Sequence, residues 1–162
     1  MSISTIWQRI MRLKSLIPPG RFFEYSRKDR LLLIEALCLL AFARLAILSV
    51  PFRRIAPLLG QTMAESPSKD PESDVRAERI SWAVQTAARH TPWESKCLAQ
   101  ALAGKLMLKL RGIASTLYFG VAKEGEASLS AHAWLRCGER VLTGGPVSDR
   151  FTMIASFAEV RR

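Results

Sequence analysis

"TPWESKCLAQALAGKLMLKLRG", residues 91–112, decides the fold, because the period of the apolar residues changes just beyond it. Leu98, Ala101, Leu102, Lys105, Leu106, Lys109 and Leu110 recur at helical spacing, apolar on one side and basic towards the end. Pro92 and Glu94 suit a helix start, which predicts Cys97 in the first or second turn. Unpaired backbone N–H groups and the helix dipole stabilise a thiolate at such a position. Helix starts also hold ordinary core cysteines, so position alone leaves Cys97 as either packing or nucleophile.

Beyond Gly112 the pattern is that of strands. "STLYFGVAKEG" (115–125) is rich in aromatic and branched residues, "SLSAHAWLR" (128–136) alternates, and "RVLTGG" (140–145) continues after a "CGE" turn. "RFTMIASFAEV" (150–160) suits either a fourth strand or a terminal helix. In the second strand Ser130, His132, Trp134 and Arg136 share one face, and Ala131, Ala133 and Leu135 the other. A hairpin turning on Cys137–Gly138 sets Arg136 against Glu139 and His132 against Thr143. A helix packed on an antiparallel sheet is an α+β arrangement.

Upstream, Ile3, Ile6, Trp7, Ile10, Leu13 and Leu16 predict a helix over 2–17, broken by "PPG" at 18–20. Ser26 introduces a second helix beginning near Asp29. Its apolar run, residues 31–50, is long enough to cross a bilayer. Glu35 and Arg44 oppose that, each costing roughly 2.5–3.5 kcal/mol near a membrane centre. We read the run as a bundle helix. The alternatives are a membrane span and peripheral membrane contact, the latter assisted by Arg27, Lys28, Arg30, Arg53 and Arg54. Residues 61–76, with prolines, serines and mixed charge, read as a linker. A helix over 75–91 places Ile80, Ala83, Val84 and Ala87 on one face and ends at His90, a helix-terminal charge or cap. The organisation is thus a basic N-terminal helical region (1–60), a linker (61–76) and a core (77–162).

The 162 residues, 49% hydrophobic, give room for one domain or a small domain with a helical appendage. Three scattered cysteines, with no CxxC and no cysteine–histidine cluster, exclude a disulfide framework and a structural zinc site and suit a reducing compartment. No secretory signal is apparent in the first residues. The net charge of +10 is concentrated in residues 1–60, where ten Lys/Arg face three Asp/Glu. Such a surface suits anionic lipid or an acidic partner. Without a recognisable nucleic-acid motif or a basic–aromatic stripe, nucleic-acid binding is not expected.

Nucleophilic chemistry needs a thiolate and a base that later donates its proton to the leaving amine. His90 and His132 are the two histidines, and His132 stands at the centre of an alternating strand. From residue types alone, a core cysteine beside a strand histidine remains the plainer reading.

The ordered set Trp93–Lys96–Cys97–Leu98, Gly112 before a strand, "YFGV", and Ala131–His132–Ala133–Trp134 with its hairpin resembles a known family. That family is the transglutaminase-like cysteine peptidases that remove the leader in lasso-peptide biosynthesis. The run "SRKDRLLLIEALCLLAFARLAILSVPFRRIAPLLG" is similar to the helical part preceding this core in the family. The resemblance implies a papain/transglutaminase-like core and a leader peptidase in a bacterial cytoplasm, with membrane association left open. By matching positions Cys97 is the nucleophile and His132 the general acid/base. The reaction it implies proceeds through an acyl-thioester, without metal or organic cofactor. Its implied partners are the precursor peptide, a separate leader-recognition protein and an ATP-dependent macrolactam-forming synthetase. The family triad is Cys–His–Asp, yet the strand after the hairpin reads Val141–Leu142–Thr143–Gly144–Gly145, without a carboxylate. Asp149 from the next loop is then the candidate third member, with a Thr143 hydroxyl as the alternative. The other functional readings are a non-catalytic scaffold of the same fold, an acyl transferase, and a basic membrane-surface or nucleic-acid-binding protein.

Overall fold

A computed structural model describes residues 24–67, 71–124 and 128–159. The helix expected over 2–17 and its "PPG" break lie outside the described residues. Helix α1 spans Arg27–Ser49, and its N-cap Ser26 accepts a hydrogen bond from the Asp29 amide at 3.2 Å. The side-chain oxygen thereby satisfies one amide that the helix start leaves unpaired. Val50 is extended and Pro51 follows, which ends the helix.

Helix α2 (Pro71–Arg89) buries Ile80, Ala83, Val84 and Ala87, the face the spacing predicts. His90 caps it, with Nδ1 at 2.7 Å from the Thr86 carbonyl oxygen. Helix α3 (Cys97–Lys109) packs against α1 and α2 on one side and the sheet on the other. It is buried almost all round, including Ala99, Ala101, Leu102, Ala103, Met107 and Leu108. The basic side expected near its end is therefore reduced to Lys109. Lys105 is 1% exposed, and its ammonium donates to Ser115 O (2.9 Å) and Glu159 Oε2 (2.8 Å). Burial pushes the Lys105 pKa below the usual lysine value, and the bond to Glu159 opposes that shift.

Five strands, β1 (Gln61–Thr62), β2 (Thr116–Glu124), β3 (Ser128–Cys137), β4 (Arg140–Thr143) and β5 (Thr152–Ala158), form an antiparallel sheet in the order β1–β5–β2–β3–β4. The C-terminal segment is a strand, not a helix. It reaches β2 through a 3₁₀ turn at Gly145–Arg150. The segment read as a linker is partly built into the fold. Its start forms β1, Ser66 N donates to Thr116 Oγ1 (2.8 Å), and Pro71 opens α2.

The β3–β4 hairpin differs from the expected register. Its turn residues are Gly138 and Glu139, with Cys137 opposite Arg140. Gly138 takes φ +58, and a glycine at the first turn position is what a type II′ hairpin favours. A register shift between Leu135 and Arg136 then sets Thr143 opposite Leu135, not His132.

One sheet face, carrying Leu117, Ala133, Leu135, Leu142 and Phe157, joins α1–α3 in the core. On the other face Trp134 stacks on Tyr118 (centroids 5.4 Å), and Arg136 Nε donates to the Tyr118 hydroxyl (2.9 Å).

Candidate active site

Cys97 is the first residue of α3, within the first or second turn expected for it, although the helix does not begin at Pro92 or Glu94. Those two stand before the helix in a bent segment. The bend is pinned by Thr91, whose Oγ1 lies 3.0 Å from Ala88 O, 2.9 Å from Trp93 O and 2.8 Å from Ser95 Oγ. Gln100 Nε2 donates to Ser95 O at 2.8 Å, tying the bend to the second turn of α3. Cys97 is half-buried, and the first amides of the helix have no intrahelical acceptor. The Trp93 indole N–H, four residues before the cysteine, is buried without a partner among the described residues.

His132 is held on three sides. Its Nε2 lies 2.9 Å from the Gly144 carbonyl oxygen, its ring is 4.9 Å from the Phe151 ring, and Trp134 stacks at 6.1 Å. A carbonyl oxygen can only accept, so Nε2 carries the proton and a neutral ring presents its lone pair at Nδ1. Two glycines make the setting possible. At Gly144, with φ +76, a Cβ would stand 2.9 Å from His132 Nε2 and 2.7 Å from Ala133 O. Gly120 is paired with His132, and a Cβ there would meet the Trp134 ring at 2.8 Å and Phe151 Cβ at 2.9 Å.

The packing sets the cysteine and the histidine at the same end of the helix–sheet layer. Gly104 lies against Leu135, since a Cβ on it would be 2.8 Å from Leu135 Cδ2. Lys105 reaches Ser115, which precedes Thr116, the partner of Arg136, so α3 runs in the same sense as β3. Cys97 is two turns back from Gly104, about 10.5 Å at 1.5 Å per residue. His132 is three residues back from Leu135, about 10 Å along the strand. By strand alternation, however, His132 belongs to the Trp134 face and not to the Leu135 face that α3 covers. Beyond the Leu135–Thr143 pair β4 has ended, and there the imidazole meets the chain at Gly144. Among the described residues no hydrogen bond links Cys97 to His132.

Asp149 lies exposed on the 3₁₀ turn, two residues before the Phe151 that packs on His132. Thr143 is 2% exposed, and its hydroxyl has no partner among the described residues, so it does not orient the ring. Thr143→Val should leave the site's chemistry intact and raise stability by about 1 kcal/mol, because it removes a buried unmet hydroxyl. Thermal and denaturant unfolding would check this, and a loss of stability would show that the hydroxyl is bonded in solution.

Gly144, Gly120 and Phe151 are the site residues that residue-type reasoning missed. The one signal for Gly144 was the double glycine directly after a strand, which marks a backbone with unusual φ. Among the described residues no group of His, Cys, Asp and Glu is suited to a metal. The arrangement combines a thiol at a helix start with an imidazole whose proton position is fixed, parts that suit acyl transfer from a carbonyl compound.

A family model described as the transglutaminase-like superfamily matches residues 39–156, more than half of the chain. Comparison with the curated proteins and with the solved structures gives no match.

Proposed function

The chain belongs to the transglutaminase-like superfamily, and from that premise we propose that it is a cysteine peptidase in which Cys97 attacks and His132 moves the proton. The observation that carries this reading is the hydrogen bond from His132 Nε2 to Gly144 O, because it leaves Nδ1 as the base. Nδ1 takes the Cys97 proton as sulfur bonds to the scissile carbonyl carbon. The imidazolium then gives that proton to the leaving amine as the C–N bond breaks, leaving an acyl-thioester. Water, losing a proton to Nδ1, attacks the thioester, the C–S bond breaks, and the proton returns to sulfur.

The substrate we propose is a ribosomally made lasso-peptide precursor, cut at the end of its leader. The support is the set of residues from Trp93 to Leu98 and from Ala131 to Trp134, which resembles the leader peptidases. On the same resemblance the chain works in a bacterial cytoplasm with a separate leader-recognition protein and a macrolactam-forming, ATP-dependent synthetase. Reduced thiols suit that compartment.

The test is mass spectrometry of a lasso-type precursor incubated with the purified chain and a leader-recognition protein. Two fragments whose masses sum to precursor plus one water are expected. His132→Ala should abolish them, whereas His90→Ala, altering a helix cap, should retain them. Product joined to an added amine would instead identify an acyl transferase. An intact precursor under all conditions would favour the non-catalytic scaffold.

A further inference from the structure

We propose that the outer face of α1 is a docking surface for an anionic lipid bilayer, which the helix meets lying in the plane of the headgroups. The two faces of α1 are sharply different. Leu33, Ala36, Leu40 and Ala43 are at most 3% exposed and pack into the core. On the opposite side Leu31, Phe42, Leu45 and Leu48 are 68%, 59%, 62% and 67% exposed, with Ile34 also exposed between them. Steps of three and four residues through Leu31, Ile34, Cys38, Phe42 and Leu45 make this one continuous face. From Leu31 to Leu48 it extends about 25 Å.

The charges identify the occupant. Arg27 continues the same face four residues before Leu31, with Lys28 beside it, and Arg53 and Arg54 stand exposed on the helical turn just past the other end. The acids of α1 are neutralised: Asp29 pairs with Arg79, and Glu35, beside Leu31 and Cys38, with Arg111, each at 2.6 Å. Exposed apolar area that can sink into the headgroup–acyl boundary, with cations at both ends to attract anionic lipid, favours such a surface over a neutral partner. A protein interface of this length would carry roughly one hydrogen bond per 100–200 Å². Between Leu31 and Leu45 this face is apolar apart from a thiol and Glu35, whose charge is met by Arg111. The packed inner face and its two ion pairs mean that the helix touches the bilayer from the side and does not cross it.

Co-sedimentation of the full chain with phosphatidylcholine vesicles, with and without phosphatidylglycerol, tests the proposal. Binding should need phosphatidylglycerol and weaken as salt rises. Leu31→Gln, Phe42→Gln and Leu45→Gln together should reduce it at least tenfold, with circular dichroism and cleavage of a short peptide unchanged. Arg27→Glu with Arg53→Glu should reduce it chiefly at low salt. No binding to either vesicle, or undiminished binding by the triple variant, would overturn the proposal. A parent dimer that the triple variant abolishes, without vesicle binding, would also overturn it and make a second copy the occupant. The vesicle-binding and dimer readouts do not depend on the identity of the peptide substrate.

Discussion

Replacing Cys97 with alanine should lower peptide cleavage by roughly 10⁴-fold or more, the scale seen when a nucleophile is removed. Cys97→Ser should be nearly as damaging, because a hydroxyl at this site lacks the thiol's ready conversion to an anion. The other cysteines provide the contrast. Cys38 is exposed on the outer face of α1, whereas Cys137 is buried, with its thiol 3.5 Å from Ala114 O. Cys38→Ala should be silent, and Cys137→Ala should affect stability more than turnover.

A thiol-directed electrophile separates chemistry from accessibility. If exposure governed the rate, Cys38 would be alkylated first, since Cys97 is half-buried. If Cys97 is the nucleophile, it reacts ahead of Cys38 although it is less accessible. Slower labelling of Cys97, with cleavage surviving in Cys97→Ala, would remove it from the chemistry and leave the helix start as packing.

The features legible in the sequence were those set by nearby residues. Ser26 capping the helix near Asp29, the buried face of Ile80, Ala83, Val84 and Ala87, and three of the main strands all follow from local spacing. What was not legible depends on distant partners. Lys105 reads as a solvated helix residue because Glu159, which helps to hold its ammonium in the core, lies far away in sequence. The start of α3 moves to Cys97 because the hydroxyl of Thr91 organises the preceding bend. The hairpin register depends on a bulge between Leu135 and Arg136 that no residue type announces. The outer face of α1 was concealed for another reason. An apolar run of this length reads as buried or membrane-spanning, and only tertiary packing separates the covered side from the open one.

The partner of the histidine was hidden for a chemical reason, since a search for a carboxylate cannot find a backbone carbonyl. That partner yields the most discriminating expectation. Gly144→Ala places a methyl group against His132 Nε2 and Ala133 O, at a backbone φ of +76 that disfavours side chains. Relief requires the ring or the chain after β4 to move. A misplacement of about 1 Å is enough to cost on the order of 10²-fold in rate, so that loss is expected in kcat with KM largely kept. Asp149→Asn should cost only a few-fold, because Nε2 already has its acceptor in Gly144 O. A neutral carbonyl fixes the tautomer, although it stabilises the imidazolium less than a carboxylate would. Nitrogen chemical shifts of the His132 ring supply a readout besides activity: Nε2-protonated in the parent and in Asp149→Asn, a mixture of tautomers in Gly144→Ala. The reverse pattern, with Asp149→Asn inactive and Gly144→Ala active and unshifted, would return the orienting role to the carboxylate of Asp149.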